Sequence, residues 1–282
     1  MVKSPPFRIF EAKLARMNDL LCYYLFSDAE VEASLSRISS AKLARYTTET
    51  FPANPYAGRL HIRTNTLEKF RKLAFHTSVG VSLVGAVEFL LNYIKDIEGF
   101  RALVLPTPHD GIRTEKPEEQ LNQKLQAWSE GCQFDGELVK TIRYLRLRRN
   151  HFAHVREEMS QEFKHLLKND AHHLNKYWAS QPTDLYDFNF SDSDFSKSAS
   201  NEALALINLV RVCQKKIDAC VMSSVGRLDI ARYEAPSFLV NPKHRNLDGS
   251  RQADKFRGFL KFKYGKGFEC TDTEFFTIAG YA

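Results

Sequence analysis

The stretch that decides the fold is Phe75-His76-Thr77-Ser78-Val79-Gly80-Val81-Ser82-Leu83-Val84-Gly85-Ala86-Val87-Glu88-Phe89-Leu90-Leu91. Its small and β-branched residues, with Gly80 and Gly85, admit a β reading. Length argues otherwise: strands run about 3–10 residues, and no Pro or Asn-Gly turn interrupts this one. The stretch therefore reads as the middle of a buried helix. Asn65 is placed to cap it, and Phe70, Leu73, Val81, Val84, Val87, Leu91 and Ile94 carry the apolar pattern to about Ile97. The most apolar run, Ser78 to Leu91, is short for a membrane span and contains Glu88.

Working outward, Phe10, Leu14, Met17 and Leu21 recur at three- and four-residue spacing, so about Phe7 to Ala41 is helical. Ser27-Asp28 reads as a break with a new N-cap, which divides that segment in two. Thr47 to Arg63 carries Pro52, Pro55 and Gly58 and reads as a connector. On the C-terminal side, helices are expected from about Pro117 to Trp128, Phe134 to Leu167 and Asn201 to Met222. Leu105 to Pro117 and the Asp/Ser-rich Pro182 to Ser200 read as loops. Past Gly226 the pattern changes, with Pro236, Pro242 and Gly249, and the tail reads as a small accessory element in which strands are expected.

The fold class is therefore all-α, antiparallel helices joined by loops. The expected organisation is an N-terminal helical extension (1–63), a main helical domain (64–225) and the C-terminal element (226–282).

Composition bounds the function. The chain has 282 residues, 43% hydrophobic, with a formal charge of +6. That is ordinary for a folded globular protein, so any basic patch has to be local. The five cysteines, Cys22, Cys132, Cys213, Cys220 and Cys270, form no C-x-x-C pair. They read as reduced, buried thiols. Met1 to Phe10 lacks an apolar core of signal-peptide length, so a soluble, cytoplasmic protein without membrane attachment is expected.

The local basic segment is Lys140 to Arg156, with Lys140, Arg143, Arg146, Arg148, Arg149 and Arg156 and no acid between them. It is the part of the chain suited to nucleic acid phosphates. In helical phase, Leu138, Ile142, Leu145 and Phe152 form an apolar stripe, and Arg149 falls inside it. Buried arginine needs a partner, so Arg149 should meet a carboxylate, carbonyls or a functional anion. Arg143 and Arg146 should face solvent. Histidine moves protons near neutral pH. Arg149 and His154 lie about 140° apart on a straight helix, so they would meet on one phosphate only across two copies of the chain. Tyr144, Leu147 and Val155 form a flank apolar enough for that interface. His151, His154, His172 and His173 lack the carboxylate or cysteine partner that a metal site requires.

The string Arg149-Asn150-His151-Phe152-Ala153-His154 resembles the R-N-x-x-x-H motif of HEPN domains. These are helical bundles found in many RNA-cutting toxins, phage-defence proteins and CRISPR effectors. The preceding helix with Glu88 midway is similar to the family's long helix carrying an acidic or polar residue. The resemblance covers roughly residues 65 to 223.

It implies a HEPN-like bundle acting as a metal-independent endoribonuclease without a cofactor. The RNA 2′-hydroxyl would attack the adjacent phosphodiester, leaving a 2′,3′-cyclic phosphate and a 5′-hydroxyl. His154 would act as general base or acid, and Arg149 would stabilise charge on the phosphoryl oxygens. Asn150 would orient His154 or bind a phosphate oxygen. Glu88 would support Arg149 or His154, with His151 as a neighbour. Arg143, Arg146, Arg148 and Arg156 would hold RNA. The partners implied are RNA, a second copy of the chain, and an antitoxin or regulator, in a toxin or abortive-infection effector. The alternative is a non-catalytic HEPN-like module for nucleic acid binding or assembly.

Overall fold

The computed structural model describes residues 2–128, 134–153, 158–193 and 200–280. The described residues are helical throughout, without strands; one isolated antiparallel bridge joins Tyr46 and Arg63.

The first helix, α1 (Pro5–Ser36), starts on Ser4, whose hydroxyl accepts from Phe7 N at 3.1 Å, with Pro5 in the first turn. It runs straight through the expected break. Ser27 Oγ donates back to the Tyr23 carbonyl at 2.9 Å instead of capping a new helix, and Asp28 is taken by Arg71 at 2.5 Å. Three single-turn helices follow, α2 (Ser40–Leu43), α3 (Thr47–Thr50) and α4 (Ala57–Leu60).

The spine is α5 (Leu67–Val104), which follows a 3-10 turn at Thr64–Thr66 and is capped by Thr66, not Asn65. Its 38 residues span about 57 Å. By length and composition it could cross a membrane, which the apolar run read alone did not suggest. Here Val79, Leu83, Ala86, Val87, Leu90, Ile94 and Ile97 bury a stripe in the core. Helix α1 lies antiparallel to it: Phe10 meets Tyr93 at one end, and Asp28 meets Arg71 at the other.

Next come α6 (Pro117–Trp128), α7 (Gly136–Ala153), α8 (Gln161–Asn169) and α9 (Ala171–Ala179). The expected single helix from Phe134 to Leu167 is two, because Ser160 caps α8 by accepting from Phe163 N at 3.2 Å. Helix α10 (Ser200–Ser224) packs on α1, α5 and α7.

The C-terminal part is α11 (Arg227–Leu239), α12 (Pro242–Arg245), α13 (Gly249–Tyr264) and α14 (Asp272–Ala279). The expected strands are absent from its described residues: the apolar positions Phe238, Phe256, Leu260 and Phe275 follow helical spacing and pack together. Its aromatic residues Phe256, Tyr264 and Phe268 are core. Tyr264 reaches the rest of the protein, its ring tilted against Phe100 and its carbonyl accepting from Lys3 N at 2.9 Å. A buried cluster around Asp218 joins Ser4 of the N-terminus to Tyr93 of α5. Cys22, Cys213 and Cys270 are free thiols, and only the last two are buried. Cys220 is disulfide-bonded, a departure from the expectation of reduced thiols throughout.

Candidate functional site

Helix α7 is buried over a broad arc because α5, α6, α8, α9 and α10 all pack on it. Leu138, Ile142 and Leu145 are buried as their spacing predicts. Thr141, Tyr144 and Leu147 are buried as well. Tyr144 sits among Phe163, Phe188 and Phe190, and Trp178 Nε1 donates to Thr141 Oγ1 at 2.9 Å. The flank expected to form an interface between copies is thus internal at Tyr144 and Leu147; Val155 lies outside the described residues.

The helical phase of the arginines is also corrected. Arg148, not Arg149, is the deeply buried one, at 4% exposure. It pairs with Glu202 of α10 and donates to Tyr144 Oη at 2.9 Å, with its guanidinium over the Tyr144 and Phe188 rings. Arg146 faces the interior too, not solvent. It holds Glu118 of α6 through two nitrogens, at 2.8 and 3.0 Å, and reaches Glu162 of α8 at 3.2 Å. Arg143 bonds Glu162 at 2.9 Å. Of these arginines, expected to hold RNA, Arg143 and Arg146 clamp α6, α7 and α8 together, and Arg148 ties α7 to α10. The acids that neutralise them come from other helices. Arg156 lies outside the described residues.

This clamp sets a pH dependence. Burial pushes the Glu162 carboxyl up, but its bond from Arg143, the charge of Arg146 and the bond from Lys116 outweigh it, and the net direction is down. A depressed folded pKa contributes stability above the ordinary carboxylate range, and that stability is lost as pH falls through the folded value. Glu162→Gln should lower the urea midpoint at about pH 7, and the gap from the parent chain should be narrower at about pH 3. An equal gap at both pH values would refute the assignment.

Arg149 sits on the α5 side of α7. The carboxylate that meets it is Glu88, in a close ion pair, and Arg149 Nη1 donates to Asn150 Oδ1 at 2.7 Å. The pair is open to solvent, with side-chain exposures of 26% for Arg149 and 36% for Glu88. Arg149 Nε has no hydrogen-bond acceptor among the described residues. His151 points the other way, toward Phe163 of α8, with ring centroids 6.5 Å apart. Burial and then the charge of Arg148 hold its pKa below the ordinary histidine value, so it is neutral near pH 7. His154 lies outside the described residues. The structure thus brings Arg149, Asn150 and Glu88 together and sets His151 apart from them. Among the described residues, no three His, Cys, Asp or Glu side chains gather to hold a metal.

One contact at this site escaped sequence reasoning. The ring of Phe152 lies against Gly80 of α5, where a Cβ would fall 1.8 Å from the ring. A glycine inside a helix costs about 1 kcal/mol relative to alanine, which was the available signal. The glycine lets the end of α7 close onto α5 beside Glu88. Gly80→Ala should destabilise by about 1–2 kcal/mol, overpacking outweighing helix propensity. In a Phe152→Ala background the same change should be neutral or stabilising, as a double-mutant cycle would register. Equal costs in both backgrounds would rule the contact out.

Comparison with known proteins adds no relative: no family model, curated protein or solved structure matches the chain.

Proposed function

We propose that this chain is a metal-independent endoribonuclease of the HEPN type, working as a homodimer and serving as a toxin or abortive-infection effector. The observation that carries the reading is the half-exposed Arg149–Glu88 pair. It stands beside Asn150 at the end of α7, on the chain that leads directly into His154. A guanidinium anchored by a carboxylate from a neighbouring helix is oriented before substrate arrives, and orientation is what phosphoryl charge stabilisation requires. The Arg149 side chain keeps 26% of its surface exposed, which leaves part of the guanidinium within reach of a phosphate oxygen. His154 supplies the proton transfer, and Glu88 acts by positioning Arg149.

The test is digestion of total RNA by the purified chain in EDTA, with end-group analysis. Fragments ending in 2′,3′-cyclic phosphate and beginning with 5′-hydroxyl are expected. Expression should slow growth, and Arg149→Ala or His154→Ala should relieve it. Intact RNA, together with alanine variants that behave like the parent chain in cells, would sink the enzyme reading. A non-catalytic HEPN-like assembly module is the second reading. It is favoured by the commitment of Arg143, Arg146 and Arg148 to internal ion pairs.

A further inference from the structure

The far halves of α1 and α5, with the short helices between them, form an arm that lacks a core of its own. Between Leu21 and Val79 only Thr47, Ala57 and Thr64 are buried. Large apolar side chains stand exposed instead, among them Tyr56 at 68%, Val31 at 48% and Phe70 at 45%. These three line a groove of about 820 Å³ between α1, the α3–α4 segment and the start of α5. Isolated exposed apolar residues are ordinary, but a contiguous apolar groove marks a surface that something covers.

The charges say what covers it. Arg71 is satisfied at the base of the groove by Asp28 at 2.5 Å and Glu68 at 2.9 Å. Glu30, on the α1 wall, and Arg59, on the α4 wall, are exposed, and neither has an ion-pair partner among the described residues. One patch therefore offers an apolar floor with one unpaired acid on α1 and one unpaired base on α4. A two-fold interface needs such a self-complementary patch, because residue i meets j and j meets i. A lipid surface fits poorly, since charges within the apolar face would have to be desolvated in hydrocarbon.

We propose that this groove docks a second copy of the chain. Glu30 of one protomer faces Arg59 of the partner subunit, reciprocally, and Tyr56 and Phe70 are the apolar anchors. Central aromatic residues of this kind dominate interface energetics, and paired charges set the register. The inference rests on the homodimer of the proposed function and assigns its surface; RNA cleavage is not its readout, and a dimer indifferent to the groove substitutions would overturn this inference alone.

The test is the mass of the full chain in solution, by light scattering and sedimentation at micromolar concentration. The parent chain should have the mass of two chains. Tyr56→Asp and Phe70→Glu should each reduce it to one, with circular dichroism and melting unchanged, since both side chains are exposed. Glu30→Arg and Arg59→Glu should each weaken the dimer by roughly 30-fold, and the double exchange should restore it. A parent chain that stays at one chain mass up to about 100 μM would overturn the proposal. So would a dimer indifferent to all four substitutions. So would a monomer that sediments with phosphatidylcholine vesicles and loses them on Phe70→Glu, which would make the groove a membrane contact.

Discussion

Arg149→Ala is expected to slow RNA cleavage by about 10³-fold, with almost no change in melting temperature. The two parts of that result have separate causes. An arginine that stabilises charge on a reacting phosphate acts at the transition state, and losing such a donor costs about 10²–10³ in rate. The Arg149–Glu88 pair, however, is partly open to water, with 26% and 36% of the two side chains exposed. Exposed ion pairs contribute little to folding, so the variant should fold like the parent chain. Glu88→Gln should reduce cleavage by less than Arg149→Ala, because it loosens the guanidinium without removing it. Single-turnover cleavage of a short RNA, read alongside thermal unfolding, measures both quantities. A folded Arg149→Ala protein that cleaves at the parent rate would remove Arg149 from the chemistry.

Arg146→Ala should behave in the opposite way, destabilising the protein by about 3–5 kcal/mol. Arg146 is the bidentate partner of Glu118, whose side chain is 0% exposed. Removing the cation leaves a carboxylate buried without compensation, the costly half of a broken buried pair. Replacing both residues, as Arg146→Met with Glu118→Leu, should recover much of the loss, because the pair carries its own desolvation cost. Urea unfolding of the parent, single and double variants gives the answer directly. If Arg146→Ala left stability intact and weakened only RNA affinity, Arg146 would be a phosphate contact and not a clamp.

These paired expectations show where a reading of residue order succeeds and where it stops. Helical periodicity is local, arising from 3.6 residues per turn and the apolar faces it creates, so the all-α class was legible along the chain. The boundaries of α6 and the position of α10 were nearly so. The tail failed because Pro236 and Gly249 resemble strand punctuation, while the buried spacing from Phe256 to Tyr264 is helical. The Ser27-Asp28 break failed because a hydroxyl and a carboxylate that suit a cap found other partners.

For the site, the sequence alone determined that a basic helix carries Arg149-Asn150 and that an arginine on its buried side needs a carboxylate, carbonyls or an anion as partner. Tertiary structure decided which carboxylate each arginine has. Arg143 and Arg146 are drawn to Glu162 and Glu118, Arg148 to Glu202, and Arg149 to Glu88. Those acids lie 16 to 61 positions away in the chain. Helical phase is a property of neighbours, whereas the pairing of charges depends on which helices the core brings together. The packing of α7 against five other helices thus turned a stripe that reads as one basic surface into ion pairs with α5, α6, α8 and α10, of which the Arg149–Glu88 pair stays partly open.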